Sequence, residues 1–110
     1  MKILYYKTGE EPEVRNIKRD LKTMQQLVGG YIEVYPANDK VLIVCDEEGW
    51  CKGRPINRVV TDRQDVIHQA IRGDFFVCAE GGEEFKSLTD EQIQKIIKCS
   101  KPGRYPSWIQ

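Results

Sequence analysis

Apolar and polar positions alternate along this chain with two different periods, and the changes of period mark the elements. Residues 2–6 (KILYY) are β-branched and aromatic and reach a turn near Thr8-Gly9, after which Pro12 to Ile17 reads as a weaker second strand. The chain is thus expected to open on a hairpin. From Ile17 the apolar residues recur as Ile17, Leu21, Met24 and Val28, one face of a helix, and Gly29-Gly30 supplies its left-handed stop. YIEVY (31–35) alternates, with Ile32 and Val34 on one side and Tyr31, Glu33 and Tyr35 on the other. Pro36 to Asp39 then turns the chain into KVLIVC (40–45), which lacks polar alternation and should be covered on both faces.

Asp46 to Gly49 reads as a turn, and the Gly53- and Pro55-containing stretch from Trp50 to Arg58 as irregular backbone and a functional loop. Between Asp62 and Arg72, Val66, Ile67, Ala70 and Ile71 fit a short helix, with an extended reading left open by the β-branched content. FFVCA (75–79), Gly81-Gly82 and EFKSL (84–88) form a third hairpin. Thr89 then begins a last helix with Gln92 placed for a capping box and Leu88 and Ile93 for a hydrophobic staple. Its buried stripe is Ile93, Ile96 and Ile97, and Pro102-Gly103 ends it. The predicted class is α+β: a mostly antiparallel sheet built from hairpins with two or three helices packed on it. Residues 1–100 form one domain and 101–110 a C-terminal tail.

A length of 110 residues suits one core. Seventeen basic and 17 acidic side chains leave no global charge to favour DNA or an anionic membrane. The opening MKILYYKTGEEPEV has neither the apolar run nor the cleavage site of a secretory signal, and no later stretch could span a bilayer. A cytoplasmic protein is expected, in which Cys45, Cys51, Cys78 and Cys99 stay as free thiols.

Candidate chemistry is sparse. His68 is the sole histidine, which rules out a two-histidine metal site and leaves only a cysteine–histidine pair. A four-cysteine zinc site is the other alternative, but no pair has CxxC spacing, and Cys45 and Cys78 lie in apolar strands. The carboxylate runs sit in polar turns, and Gly29-Gly30 follows a helix rather than preceding one, the wrong order for a phosphate cradle. No catalytic residue, metal or cofactor is therefore assigned. Between Lys52 and Arg72 five basic residues (Lys52, Arg54, Arg58, Arg63, Arg72) face two acidic ones (Asp62, Asp65), and Asn57 beside Arg58 adds an amide suited to a base edge or peptide group. In the tail, Lys98, Lys101 and Arg104 accompany Tyr105 and Trp108, a mixture that suits single-stranded nucleic acid. Trp108 is expected instead to dock, either on its own fold or on a second copy as a homodimer.

The segments Met24–Val34 (MQQLVGGYIEV), DEEG (46–49), G-x-P-x-N-R (Gly53, Pro55, Asn57, Arg58), GDFFVC (73–78) and SLTDEQI (87–93) resemble a family of short phage and conjugative-element proteins catalogued as domain of unknown function 3846. The resemblance implies an accessory protein of a mobile element, non-enzymatic, that binds a host defence component such as a CRISPR effector or sequesters a nucleotide signal. A nucleic-acid-binding accessory protein is the alternative, as is a small cysteine-dependent or zinc protein. The recognition candidates are the strand face Tyr31, Glu33 and Tyr35 and the loop residues Arg54, Asn57 and Arg58.

Overall fold

The computed structural model describes residues 1–109. In chain order the elements are β1 (Lys2–Tyr6), β2 (Glu13–Asn16), α1 (Leu21–Val28), β3 (Ile32–Pro36), β4 (Val41–Asp46), β5 (Ile56–Thr61), β6 (Ile67–Arg72), β7 (Phe75–Gly81), β8 (Glu84–Lys86), α2 (Asp90–Cys99) and β9 (Arg104–Pro106). The three expected hairpins form as β1–β2, β3–β4 and β7–β8, all antiparallel. They merge into one sheet of order β2-β1-β7-β4-β3, with β8 pairing the far end of β7.

Successive side chains of a strand point to opposite faces, and the inner strands β1, β7 and β4 are apolar on both. Leu4, Tyr6, Ile43, Cys45, Phe75 and Val77 enter one buried cluster. Their neighbours Ile3, Tyr5, Val44, Phe76 and Cys78 enter another. Met24 and Val28 of α1 close the second cluster. The first is closed by Ile93 and Ile96 of α2 and by Val60, Ile71 and Tyr105 of a second, smaller sheet of order β6-β5-β9. The central sheet is therefore sandwiched, which is why KVLIVC carries no polar alternation.

Local chemistry sets the helix bounds. Asp20 caps α1 by accepting from Thr23 N at 2.7 Å, so the helix starts at Leu21 rather than Ile17. Thr89 and Gln92 form the full capping box on α2, with Thr89 Oγ1 3.0 Å from Gln92 N and Gln92 Oε1 2.9 Å from Thr89 N. Leu88 and Ile93 are both buried, whereas Ile97 is 47% exposed and leaves the expected stripe.

Two expectations are corrected. The helix read between Asp62 and Arg72 is the edge strand β6, antiparallel to β5. Asp62 Oδ1 accepts from Gln64 N (2.9 Å) and Val66 N (3.0 Å), and Asp65 turns at φ 67°, which reverses the chain into β6. Of the apolar residues that suggested a helix, only Ile71 is buried, while Val66 and Ile67 are 54% and 60% exposed. The segment read as a tail joins the fold: β9 pairs in parallel with β5, and Tyr105 is fully buried. Trp108 docks on its own chain, packed on the first cluster with Arg63 stacked 4.5 Å above its ring.

Candidate functional site

The segment expected as a functional loop folds back on the end of α1. Asp46 is the pivot, with its side chain 0% exposed. Its Oδ1 accepts from Glu48 N at 2.9 Å, while Lys52 Nζ and Arg54 Nε sit 2.9 and 3.0 Å from Oδ2. Burial pushes its carboxyl upward, but the Glu48 N–H, the Lys52 ammonium and the Arg54 guanidinium outweigh that and hold it below the ordinary carboxylate range. The same two cations donate to Gly29 O, at 3.1 Å from Lys52 and 2.9 Å from Arg54, at a helix end where carbonyls lack intrahelical partners. The double glycine permits this approach. Gly29 turns at φ 81°, and a Cβ on Gly30 would lie 2.5 Å from Lys52 Nζ and 2.7 Å from Asp46 Oδ1.

Three of the segments that carry the resemblance, VGG, DEEG and the loop through Arg54, therefore meet in a clamp that holds the fold. Arg54 belongs to it, and its carbonyl also accepts from Arg72 Nη1 at 3.0 Å. Asn57, expected to read a base edge or peptide group, is 6% exposed. Its amide donates to Tyr6 O and Gly73 O, both at 2.9 Å, and its Oδ1 accepts from Arg58 Nη1 at 2.8 Å. Its polar atoms are thus engaged inside the protein. Tyr35 pairs with Ile43 across the sheet and packs on the first cluster instead of facing outward.

Tyr31 and Glu33 remain at the surface. Tyr31 is 65% exposed just ahead of β3, and its carbonyl accepts from Glu47 N at 2.8 Å, which joins it to the loop after β4. Glu33 lines a groove of about 280 Å³ between β3–β4 and β6, together with Glu47, Trp50, Gln69 and Arg72. Trp50 is 75% exposed, with the Arg72 guanidinium 4.2 Å over its ring. The groove lies between two sheet edges, since β3 pairs only with β4 and β6 only with β5 among the described residues. In the sequence Trp50 marked only the start of the functional loop; the signal for a surface role was a lone large aromatic inside the polar run DEEGWCKG. Arg58 lies elsewhere, in a cleft shared by the β1–β2 turn and the end of α2.

The thiols lie apart. Cys45 and Cys78 project to opposite faces of the sheet, and burial pushes each up to about 12, for Cys45 with help from Glu33 and Asp46. Cys51 is exposed in the turn after Trp50 and Cys99 is half-buried at the end of α2. Among the described residues no three His, Cys, Asp or Glu side chains gather in a way that could hold a metal ion. His68 Nε2 lies 2.8 Å from Asp62 Oδ2 beside the β5–β6 turn. Among the same residues no helix is long and apolar enough to cross a membrane.

Comparison with known proteins agrees with the resemblance carried by these segments. No curated protein and no solved structure matches the chain. A family profile does, over residues 1–100, from the first strand through all of α2 and short of β9. The chain belongs to the family described as Domain of unknown function (DUF3846).

Proposed function

We propose that this protein is a non-enzymatic binding protein that docks a protein partner on the face formed by Trp50, Arg72, Tyr31 and Glu33. The finer reading, taken from the resemblance, is an accessory protein of a phage or other mobile element that occupies a host defence nuclease such as a CRISPR effector.

The observation that carries the proposal is Trp50, 75% exposed under a stacked arginine beside a groove between two sheet edges. A tryptophan left in water forgoes burial worth about 25 cal/mol per Å² over roughly 150 Å² or more, near 4 kcal/mol. Tryptophan, tyrosine and arginine are the residues that anchor interfaces. The open edges of β3 and β6 supply backbone donors and acceptors that a partner strand can use.

Size-exclusion chromatography with light scattering, run with purified CRISPR effector nucleases, tests the proposal. A complex of the summed mass that survives the column supports it. Trp50→Ala should weaken the complex by about 2 kcal/mol, roughly 25-fold in Kd, without lowering the melting temperature of the free protein. Unchanged affinity in a folded Trp50→Ala/Tyr31→Ala variant would remove this face from the interface.

A further inference from the structure

The cleft beside Arg58 is distinct from the Trp50 groove and shares no lining residue with it. Its volume, about 560 Å³, falls in the range of small-molecule sites. Three features of its chemistry converge.

The first is an unpaired donor. Tyr6 is 1% exposed, sandwiched between Phe75 (ring centroids 4.6 Å apart) and the Arg58 guanidinium (5.3 Å). Its hydroxyl makes no hydrogen bond of acceptable geometry with any described residue. Tyr6 lines the cleft beside Glu11, Arg58 and Ser100. Among the described residues Ser100 is the one side chain that comes within reach of the Tyr6 hydroxyl, and the Ser100 hydroxyl donates its own hydrogen to Ile96 O at 2.5 Å. A buried polar atom without a partner is destabilising, and phenylalanine would fill the same space without that penalty.

The second is an arginine without an ion-pair partner. Arg58 donates to Asn57 O (3.0 Å), Asn57 Oδ1 (2.8 Å) and Glu10 O (2.7 Å), all neutral oxygens. These bonds fix the guanidinium in place, and among the described residues no carboxylate forms an ion pair with it or with Lys101 at the cleft rim. A preset arginine is suited to an oxyanion. The third is apolar walling: Ile56 and Ile97 face the cleft 50% and 47% exposed. Glu10 and Glu11 complete the rim as acceptors for donors elsewhere on a ligand.

We infer that this cleft binds a small organic oxyanion the size of a mononucleotide, with its phosphate or carboxylate at Arg58, Lys101 and the Tyr6 hydroxyl and its flat or apolar body between Ile56 and Ile97. The inference does not depend on the Trp50 face, and either can fail alone.

The test is a ¹⁵N-HSQC titration of the full chain with AMP, 3′,5′-cyclic AMP, 2-naphthoate and inorganic phosphate. The nucleotides separate a phosphate source from the naphthoate carboxylate, and phosphate alone separates head group from body. Shifts at the amides of Thr8–Glu11, Asn57–Arg58, Ser100, Lys101 and Gly103, saturating below about 5 mM for an organic anion and not for phosphate, are the expected result. Tyr6→Phe should fold with an equal or higher melting temperature yet bind three- to tenfold more weakly, about the effect of one lost hydrogen bond. Lys101→Gln, on an exposed side chain, should weaken binding without altering stability. No organic anion shifting these amides, inorganic phosphate binding as tightly as any of them, or Tyr6→Phe binding with undiminished affinity would each overturn the inference.

Discussion

Replacing Asp46 by asparagine tests the clamp at its pivot. The carboxylate accepts the Glu48 N–H and the Lys52 ammonium, each at 2.9 Å, and holds the Arg54 guanidinium as an ion pair at 3.0 Å. Hydrogen bonds to charged groups contribute about 1.5–3 kcal/mol each. The Lys52 and Arg54 side chains are 36% and 31% exposed, so once released they regain much of their hydration, which places each near the low end of that range. An asparagine keeps the shape and one acceptor. The net loss for Asp46→Asn is then about 3 kcal/mol, and for a chain of this length about 15 °C in Tm.

The pH dependence separates this account from a simple packing defect. The carboxyl is held below the ordinary carboxylate range when folded, so its contribution is complete above the unfolded value, near about 4, and is lost as pH falls through the lower folded value. Urea unfolding of wild type and Asp46→Asn should therefore differ by about 3 kcal/mol from pH 7 down to about pH 5, with the gap narrowing below about pH 4. A gap under about 0.5 kcal/mol at pH 7, or one that stays constant to pH 3, would refute the reasoning.

The other predictions concern groups whose roles the structure fixes. Asn57→Ala strips the Tyr6 and Gly73 carbonyls of their amide donor in a buried place and should cost about 2–3 kcal/mol by urea unfolding, whereas a purely ligand-contacting Asn57 would leave stability unchanged. Thr89→Ala removes the capping box of α2 and should cost about 1 kcal/mol, read as faster amide exchange in the first turn of that helix.

What the sequence revealed and what it concealed divide along physical lines. Turn chemistry and period were enough for the three hairpins, the cap at Thr89 and the glycine stop of α1, because each is fixed by residues within a few positions of one another. The β6 strand was hidden because four apolar residues in eleven satisfy a helical template. Only pairing with β5, a tertiary contact, decides between the two. The site was harder still. Arg54 and Asn57 looked like recognition residues because a loop arginine and asparagine have the same signature whether they face a ligand or a carbonyl of their own chain. Their partners, Gly29, Tyr6 and Gly73, lie 16 to 51 positions away. Trp50 marked only the start of a loop because exposure of a large aromatic cannot be read from its neighbours, and Tyr6 read only as one more strand residue.

The parallel strand β9 bears on how the molecule comes into being. Tyr105 and Ile109 complete the larger apolar cluster, whose other members come from β1, β4, β5, β6, β7 and α2 and from Leu88 just ahead of α2. During synthesis that cluster stays open until the chain has left the ribosome past residue 109, even though β1 and β2 can pair almost at once. A chain ending at residue 100 would hold the residues of every hairpin and both helices, yet leave β5 with a bare edge and Tyr6 without its edge-on contact to Tyr105. Such an incomplete chain, with apolar surface still open, is the form that chaperones and proteases would meet.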